Sequence, residues 1–336
     1  MYPVVLPDLA VPLAPLTTLR LGGPARRLVD AETADEVVEA LREPALVIGG
    51  GSNLVIADAG WPGTVVRISS RGRRVERRPD GSVLLTVEAG EEWDDVVAAA
   101  VADGLGGLEC LSGIPGRTGA VPVQNVGAYG VEIADALVDV DLLVDGVVRR
   151  VPAADLGLAY RASVLKGRSD AVVLRVRFAL PGDALSAPIR YAELARALGV
   201  APGDRVPAAV VRETVLGLRC GKGMVLDPAD HDTWSAGSFF TNPVLAAAPP
   251  GAPNWPVGDR VKVSAAWLIE QAGFRRGYPG PGGRVALSTR HVLALTNRGA
   301  GSTADLLALA TEVRDGVKAR FGVALAPEPV LVGCSL

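Results

Sequence analysis

The chain is poor in the residues that hold metals. Histidine occurs twice in 336 residues, as His231 and His291, and the three cysteines, Cys110, Cys220 and Cys334, fall far apart. Zinc needs clustered Cys and His donors, so no metal centre is expected. An odd, scattered cysteine count also argues against a disulfide framework and fits a reducing, cytoplasmic compartment. Charge of one sign is lacking too. The 34 basic and 37 acidic residues leave a formal net charge of −3, which offers nucleic acid no electrostatic footprint. The main basic run, Arg71-Gly72-Arg73-Arg74 with Arg77-Arg78, is interrupted by Glu76 and reads as a solvated hairpin. No charge-free apolar run reaches the length of a membrane span, about eighteen residues. Met1-Tyr2-Pro3-Val4 lacks a basic start and carries an early proline, unlike a signal peptide.

What the chain has in quantity is apolar residues and turn formers. At 49% hydrophobic and 21% charged it is globular material with ample core, and its length suggests two or three domains. Thr33-Ala34-Asp35-Glu36 is a capping-box signature. It heads a short helix with Val37, Val38 and Leu41 on one stripe, stopped by Pro44. Ala45-Leu46-Val47-Ile48 reads as a buried strand. Strands are predicted at 64–68 and 83–88, a helix at 93–103 and a hairpin at 137–151 turning on Asp145-Gly146. Apolar residues alternate with arginine at 172–178, the pattern of a half-buried strand. A helix is expected near 191–198, and a domain junction near 215, where composition shifts. Further on, a helix runs from Ser264 to Gly273 and a strand covers 292–296. A long helix capped at Ser302 or Thr303 carries Leu306, Ala310, Val313 and Val317 at helical spacing, and the tail from Val323 to Val332 is extended.

The 40 glycines and 25 prolines cluster, and the clusters mark where chemistry can sit. After the strand at 45–48 comes Gly49-Gly50-Gly51-Ser52-Asn53-Leu54, whose backbone N–H groups could meet a phosphate. The spacing is neither the Rossmann fingerprint nor a P-loop. Gly113 to Gly130 holds five glycines and two prolines in 18 residues, while Ile114, Val121, Val123 and Val126 ask for burial. Buried irregular backbone needs hydrogen-bond partners. Wrapping a large polar ligand, such as a dinucleotide, meets that need better than wandering on the surface does. Tyr160-Arg161-Ala162-Ser163 sets a guanidinium beside an aromatic surface, suited to a carboxylate or phosphate or to a structural ion pair. Arg219 and Lys222, three apart, suit a diphosphate or a solvated turn. Ser238 follows Gly237 and precedes Phe239-Phe240, in a chain only 4% aromatic. That is either a hydroxyl in a dry pocket, able to give a proton to a reactive carbon, or a buried strand entered by a tight turn. Glu328, between Pro327 and Pro329, is held in stiff extended backbone and by itself reads as a rim carboxylate.

The blocks Gly50-Gly51-Ser52-Asn53-Leu54, Ile114-Pro115-Gly116, Gln124-Asn125-Val126-Gly127-Ala128-Tyr129-Gly130, Tyr160-Arg161, Gly237-Ser238-Phe239-Phe240-Thr241-Asn242-Pro243 and Pro327-Glu328 occur in a specific order and separation. In this the chain resembles the UDP-N-acetylenolpyruvoylglucosamine reductase (UDP-N-acetylmuramate dehydrogenase) family of bacterial cell-wall synthesis, over roughly residues 17–333. The resemblance implies an α+β fold, with a two-lobed FAD-binding domain of the PCMH/vanillyl-alcohol-oxidase type and a C-terminal α+β substrate-binding domain. Lobe 1 would span 1–70, completed by 323–336, lobe 2 71–215, and the substrate domain 216–322. Non-covalent FAD would be held by Gly49, Gly50, Gly51, Ser52, Asn53, Leu54, Ile114, Pro115, Gly116, Gly119, Ala120, Gln124, Asn125, Gly127, Ala128, Tyr129 and Arg161. NADPH would be the hydride donor, and UDP-N-acetylglucosamine enolpyruvate the substrate, reduced to UDP-N-acetylmuramate. Arg161, Ser238 and Glu328 fall on the family's three catalytic positions. Tyr191 looks like the tyrosine of the class with a substrate-closing loop, while Arg219, Lys222 and Asn242 match diphosphate-contacting positions. A cytoplasmic monomer is the expectation, with the sugar nucleotide and NADPH as partners and neither nucleic acid nor membrane insertion. The chain departs from the family at Ala326, often Glu, at Thr241, often basic, and in the longer segment Gly223 to Pro228.

In the implied reaction, hydride reaches the terminal vinyl carbon, and negative charge grows on the neighbouring carbon and its carboxylate. A permanent guanidinium at Arg161 suits that charge. Ser238 would protonate the carbanion. Glu328 makes sense protonated by burial, or orienting Arg161 or a water. His231 and His291 read as structural or substrate-rim residues. Two rival readings stay open: another flavin oxidase or dehydrogenase, with no use for the Arg161, Ser238 and Glu328 set, and a catalytically dead nucleotide-sugar sensor, with no use for Ser238.

Overall fold

The computed structural model describes residues 10–336, so the segment Met1 to Val4, read above as no signal peptide, lies outside the described residues. The chain divides into two compact units. One takes the described residues up to Arg26, then Gly51–Pro62 and Lys222–Leu336; the other takes Arg27–Gly50 and Gly63–Gly221. They are called here the 222–336 unit and the 63–221 unit.

In the 63–221 unit the short helix α1 (Ala34–Ala40) starts on the expected capping box. The Thr33 hydroxyl accepts the Glu36 N–H at 3.2 Å, and the Glu36 carboxylate accepts the Thr33 N–H at 3.2 Å. Ala45–Ile48 runs parallel to the strand beside it, with Ala45 opposite Thr64. The main sheet has five antiparallel strands in the order 147–152, 137–144, 171–181, 82–88, 73–77. Val83, Leu85 and Val87 are buried and alternate with half-buried residues, as in a strand with one face on the core. The arginines of 171–181 form a charge ladder across the sheet. Arg177 pairs with Asp139 at 2.7 Å and Asp141 at 2.8 Å; Arg175 pairs with Glu88 at 2.6 Å. Burial pushes the Asp141 carboxyl up, but the Arg177 fork outweighs it and holds the group below its usual range. The hairpin turns on Asp145 (φ 51°) and Gly146 (φ 72°), both left-handed as a type I′ turn requires.

The apolar side of this unit includes helices α2 (Trp93–Ala102), α3 (Ala192–Leu198) and α4 (Ala208–Gly221). Trp93 is fully buried, with its ring centroid 5.8 Å from that of Phe178, and its indole N–H donates to Leu111 O at 3.2 Å. Composition shifts near 215, but α4 runs unbroken through that point. Val215 on it is fully buried, and the boundary between units falls at its end, after Gly221.

The 222–336 unit contains α5 (Ala265–Gln271) and α6 (Thr303–Phe321). Leu306, Ala310, Val313 and Val317 are all fully buried, in one core with Leu268, Ile269, Val285 and Leu287. The start of α6 is saturated with acceptors. Ser302 and Asp305 make a capping box, and the Asp58 carboxylate takes the N–H groups of Thr303 (2.7 Å) and Ala304 (2.9 Å). Carboxylates there satisfy otherwise unmatched donors and oppose the positive end of the helix dipole. The strand expected at 292–296 begins only at Leu295, pairing with Val285–Leu287. Its first part is a tight turn in which the Ala294 N–H donates to His291 O at 3.0 Å. In the tail only Val330–Val332 is strand, parallel to Leu54–Ile56. Among the described residues, no helix is long and apolar enough to cross a membrane.

Two helical glycines test this packing. A Cβ on Gly316 of α6 would stand 2.5 Å from Cε2 of Phe274, a buried ring 5.0 Å from that of Tyr278. Gly217 of α4 is exposed, and a Cβ there meets nothing within 4 Å. Gly217→Ala should therefore raise stability by roughly 0.5–1 kcal/mol through helix propensity. Gly316→Ala should lower it by about 1–3 kcal/mol, because overpacking outweighs the same gain. Thermal unfolding beside the parent decides, and a Gly316→Ala protein as stable as the parent would mean that the Phe274 ring yields freely.

Candidate functional site

Gly113 to Gly130 is irregular, as its composition demands, and closely packed. Val121 is buried, and Ile114, Val123 and Val126 rest on the same core. Gly127–Ala128 pairs with Val131–Glu132 across a two-residue turn formed by Tyr129 (φ 50°) and Gly130 (φ 82°). Glycine or asparagine usually takes the first of these left-handed places, and a bulky tyrosine there is an outlier. Asn125 (φ 46°) and Arg161 (φ 53°) are left-handed as well. Arg161 stands third in the reversal 159–162, whose ends exchange two backbone hydrogen bonds of 3.0 Å.

These reversals hold one another. The Asn125 amide, 1% exposed, donates to Ala159 O at 3.1 Å and to Glu132 Oε2 at 2.7 Å, and its Oδ1 accepts the Ala134 N–H at 3.0 Å. Arg161 Nη2 donates to Gly127 O at 3.0 Å, and Ser163 Oγ to Val123 O at 2.5 Å. Strain of this kind costs about 1–3 kcal/mol per residue and persists where the surroundings over-determine it, most often at functional sites. Here three non-glycine residues carry it in one cluster.

Other candidates of the same unit gather on it. Tyr191, exposed at the start of α3, meets the Tyr129 ring edge to face at 5.6 Å. Burial pushes the Tyr129 hydroxyl up to about 12. Arg219, in the last turn of α4, is buried. Burial pulls its guanidinium below the usual range, Tyr129 and Asp94 oppose that shift, and the like charge of Arg161 adds to it. Asp94 also takes the Arg212 fork (2.6 and 2.9 Å) and the Gly113 N–H (2.6 Å), which fixes the entry to the loop.

The two glycine segments fit an FAD diphosphate. Neither 49–54 nor 113–130 contains a carboxylate. In the 63–221 unit a Cβ on Gly50 would stand 2.7 Å from Gly116 Cα, so glycine permits that backbone approach. In the 222–336 unit Gly51 (φ 61°) lies where a Cβ would meet Leu16 O at 2.0 Å. Among the described residues, the amides of Gly50, Gly51 and Ser52 donate to no acceptor of the chain, which suits an anion bound by backbone N–H groups.

In the 222–336 unit, backbone bonds lace three candidate segments together. Asn53 O accepts the Val330 N–H at 2.9 Å, and its Nδ2 donates to Glu328 O at 3.5 Å. The Glu328 N–H donates to Phe239 O at 2.8 Å, and the Thr241 N–H to Ala326 O at 3.1 Å. Phe239 and Phe240 are buried, edge to face at 5.1 Å. The segment is a loop carrying isolated bridges rather than a strand. Half-buried Ser238 places its Oγ 3.4 Å from Nε2 of His291. The Asn242 Oδ1 accepts the Ala265 N–H at 2.9 Å, at the start of α5. Lys222 opens this unit after α4 and is half-buried. His291 is the residue that sequence reasoning passed over as a rim or structural group. Its only signal was rarity, since it lies 53 positions from Ser238.

Comparison with known proteins identifies the domains. A model of an FAD binding domain matches residues 25–151, and one of the UDP-N-acetylenolpyruvoylglucosamine reductase C-terminal domain matches residues 227–332. The chain is 62% identical to the UDP-N-acetylenolpyruvoylglucosamine reductase of Saccharopolyspora erythraea, over 96% of this chain and 95% of that one. It is 57% identical to the reductase of the same name from Mycolicibacterium gilvum, over 97% of this chain and 96% of that one. The crystal structure of UDP-N-acetylenolpyruvylglucosamine reductase from Thermus caldophilus superposes with a TM-score of 0.68 at 28% identity, covering 96% of this chain and 97% of that one. An FAD-binding domain joined to this C-terminal domain, and identity this high over nearly the full length, leave one conclusion: the chain belongs to the UDP-N-acetylenolpyruvoylglucosamine reductase family.

Proposed function

We propose that the chain reduces UDP-N-acetylglucosamine enolpyruvate to UDP-N-acetylmuramate with NADPH, in the making of peptidoglycan precursors. The observation that carries the proposal is the Ser238 segment. A half-buried hydroxyl stands next to two buried aromatic rings, on a loop bonded to the backbone of Glu328. Hydride transfer from NADPH to the enolpyruvyl carbon is the chemistry that bound FAD supplies. Segments 49–54, 114–120 and 124–129, with Arg161, would hold it. The chain's own groups do the rest. Arg161 offers its guanidinium fork to the carboxylate as negative charge grows there. Ser238 gives the proton that completes the reduction, and Glu328 orients the groups around it. Arg219, Lys222 and Asn242 contact the substrate diphosphate. The Asn242 Oδ1 already accepts the Ala265 N–H, so its NH2 group is the part suited to a phosphate oxygen.

Tyr191 belongs, on this reading, to the class whose tyrosine loop closes over the substrate. Its exposure and its edge contact with Tyr129 support that. The lobes are 1–70 with 323–336, 71–215 and 216–322, with the junction at 215 moved to the end of α4, after Gly221. The parallel pairing of Val330–Val332 with Leu54–Ile56 supports completion of the first lobe by the tail. The working form is a cytoplasmic monomer.

The protein should purify yellow, and acid precipitation should release all of its flavin as FAD. Cys110, near the candidate loop in sequence, is buried and its thiol is pushed up to about 12, so it offers no thiolate for a covalent link. Flavin left on the denatured chain, or release of FMN, would contradict this.

Ser238→Ala should separate the two halves of the reaction. NADPH alone should bleach the flavin at the parent rate, since that step makes no carbanion on the sugar. Reoxidation by the enolpyruvyl sugar nucleotide should slow at least ~10²-fold, the lower end for a positioned acid. Stopped-flow absorbance reads both. Equal slowing of both halves, or unimpaired reoxidation, would make Ser238 structural.

A further inference from the structure

A serine hydroxyl is a feeble acid, and the alkoxide left behind when it gives up its proton needs a donor at once. Ser238 has a neighbour able to supply one, the His291 imidazole at 3.4 Å. Both groups are set by backbone. The Phe239 N–H donates to Leu293 O at 2.8 Å, two residues beyond the histidine, and the Gly237 N–H donates to Ser235 Oγ at 3.2 Å. The Thr18 hydroxyl holds Ser235 O at 2.7 Å.

Behind His291 stands a second layer. The His291 N–H donates to Ser288 Oγ at 3.1 Å, and that hydroxyl donates to buried Asp232 at 2.9 Å. Asp232 also takes the Thr289 N–H (3.0 Å), the Thr289 hydroxyl (2.9 Å), Arg290 Nε (3.1 Å) and Arg298 Nη1 (2.9 Å). Asp230 pairs with Arg290 on the same side. Four charged groups, Asp230, Asp232, Arg290 and Arg298, therefore surround the turn that carries the imidazole. Glu328 is the titratable group tied by backbone to the serine segment, through Phe239. These bonds fix the backbone of the turn that carries His291, and with it the place from which the imidazole reaches Ser238.

We propose that His291 is the positioning residue of Ser238 and the source of the proton that Ser238 delivers. The inference rests on the reading of Ser238 as proton donor. In the step, the Ser238 O–H bond breaks and a C–H bond forms with the carbanion's electron pair. The serine oxygen keeps its bonding pair and takes the proton from Nε2–H of the imidazolium. Neutral imidazole remains, Ser238 is regenerated, and one proton has passed from His291 to the substrate carbon. No oxidant or reductant is involved. Solvent then recharges the imidazole, which stands at the half-buried edge of the unit.

The expected signature is a pH dependence confined to one half-reaction. In the parent holoenzyme, reoxidation by the enolpyruvyl sugar nucleotide should slow as rising pH strips the imidazolium of its proton, within the range of roughly pH 5 to 8 where histidine side chains change charge. Bleaching by NADPH should not follow the same curve. His291→Gln, which keeps a hydrogen-bonding group near Oγ, should slow reoxidation ~10- to 10²-fold and flatten its pH profile, with bleaching unchanged. Adding His291→Gln to Ser238→Ala should cost nothing further, since the histidine acts through the serine. The parent profile is a test that needs no variant: reoxidation independent of pH across that range overturns the inference. So does His291→Gln with the parent profile, or with both halves slowed equally. Reoxidation unimpaired in Ser238→Ala would instead overturn the underlying reading of Ser238. Impaired Ser238→Ala beside parent-like His291→Gln leaves that reading intact and removes only the histidine.

Discussion

Asn125 is 1% exposed and joins three pieces of chain: its own irregular loop, the turn at 159 and the segment from Glu132 to Ala134. In helices and sheets the backbone satisfies itself. The run from Gly113 to Gly130 has too many glycines and prolines for either, so something else must meet its buried N–H and C=O groups. One amide with two donor hydrogens and two acceptor lone pairs is well matched to the task. Take it away and the bonds to Ala159 O, the Ala134 N–H and the Glu132 carboxylate go together, and with them the side chain that ties the three segments. Its bonds reach both left-handed reversals, the one at Arg161 through Ala159 O and the one at Tyr129 through Glu132. Reversals that tight, built on non-glycine residues, would relax if the chain on either side were loose.

The 222–336 unit meets the same need with charge. Asp232 stands where Asn125 stands in the other unit, as a buried acceptor that organises a turn without secondary structure. Burial pushes its carboxyl up, but the Thr289 N–H, the Ser288 and Thr289 hydroxyls and Arg298 together hold it below its usual range. An anion fits here because the groups bonded to its carboxylate are all donors. An amide fits at Asn125 because its neighbours include a donor as well as acceptors. The side chain in each place follows from the polarity of the orphaned groups around it.

Much of this was legible in the sequence, and the rest was not for physical reasons. Local signals did well. The capping box at Thr33, the cap at Ser302 or Thr303, which proves to be Ser302, the Asp145-Gly146 turn and the stripe Leu306, Ala310, Val313 and Val317 depend on neighbours within one or two turns of chain. The strand at 292–296 was placed early because Val292 and Leu293 are as apolar as a strand, and only the Ala294–His291 hydrogen bond shows that they belong to a turn. The junction near 215 tracked composition, whereas the units part where contacts change, at the end of α4. The glycine clusters announced irregular buried backbone, but not that Asn125 would organise it. Ser238 and His291 are far apart in sequence, and nothing in either segment names the other.

Ser238 and Arg161 share one design feature: both are short of regular structure and rich in ties to it. Ser238 stands next to Phe239, whose N–H and C=O are both bonded, to Leu293 and Glu328. Arg161 sits in a reversal closed by two backbone bonds and reaches back to Gly127. A helix would present such groups at fixed 3.6-residue spacing, and a strand would alternate them between faces. Loops escape both periodicities, and reactive groups gain the freedom to converge from distant positions. The cost of that freedom is mobility, which would blunt a proton donor whose aim must hold within about 0.5 Å. Buried side-chain hubs remove the mobility while leaving the geometry irregular. That is why the least regular parts of this chain are also among its most heavily hydrogen-bonded.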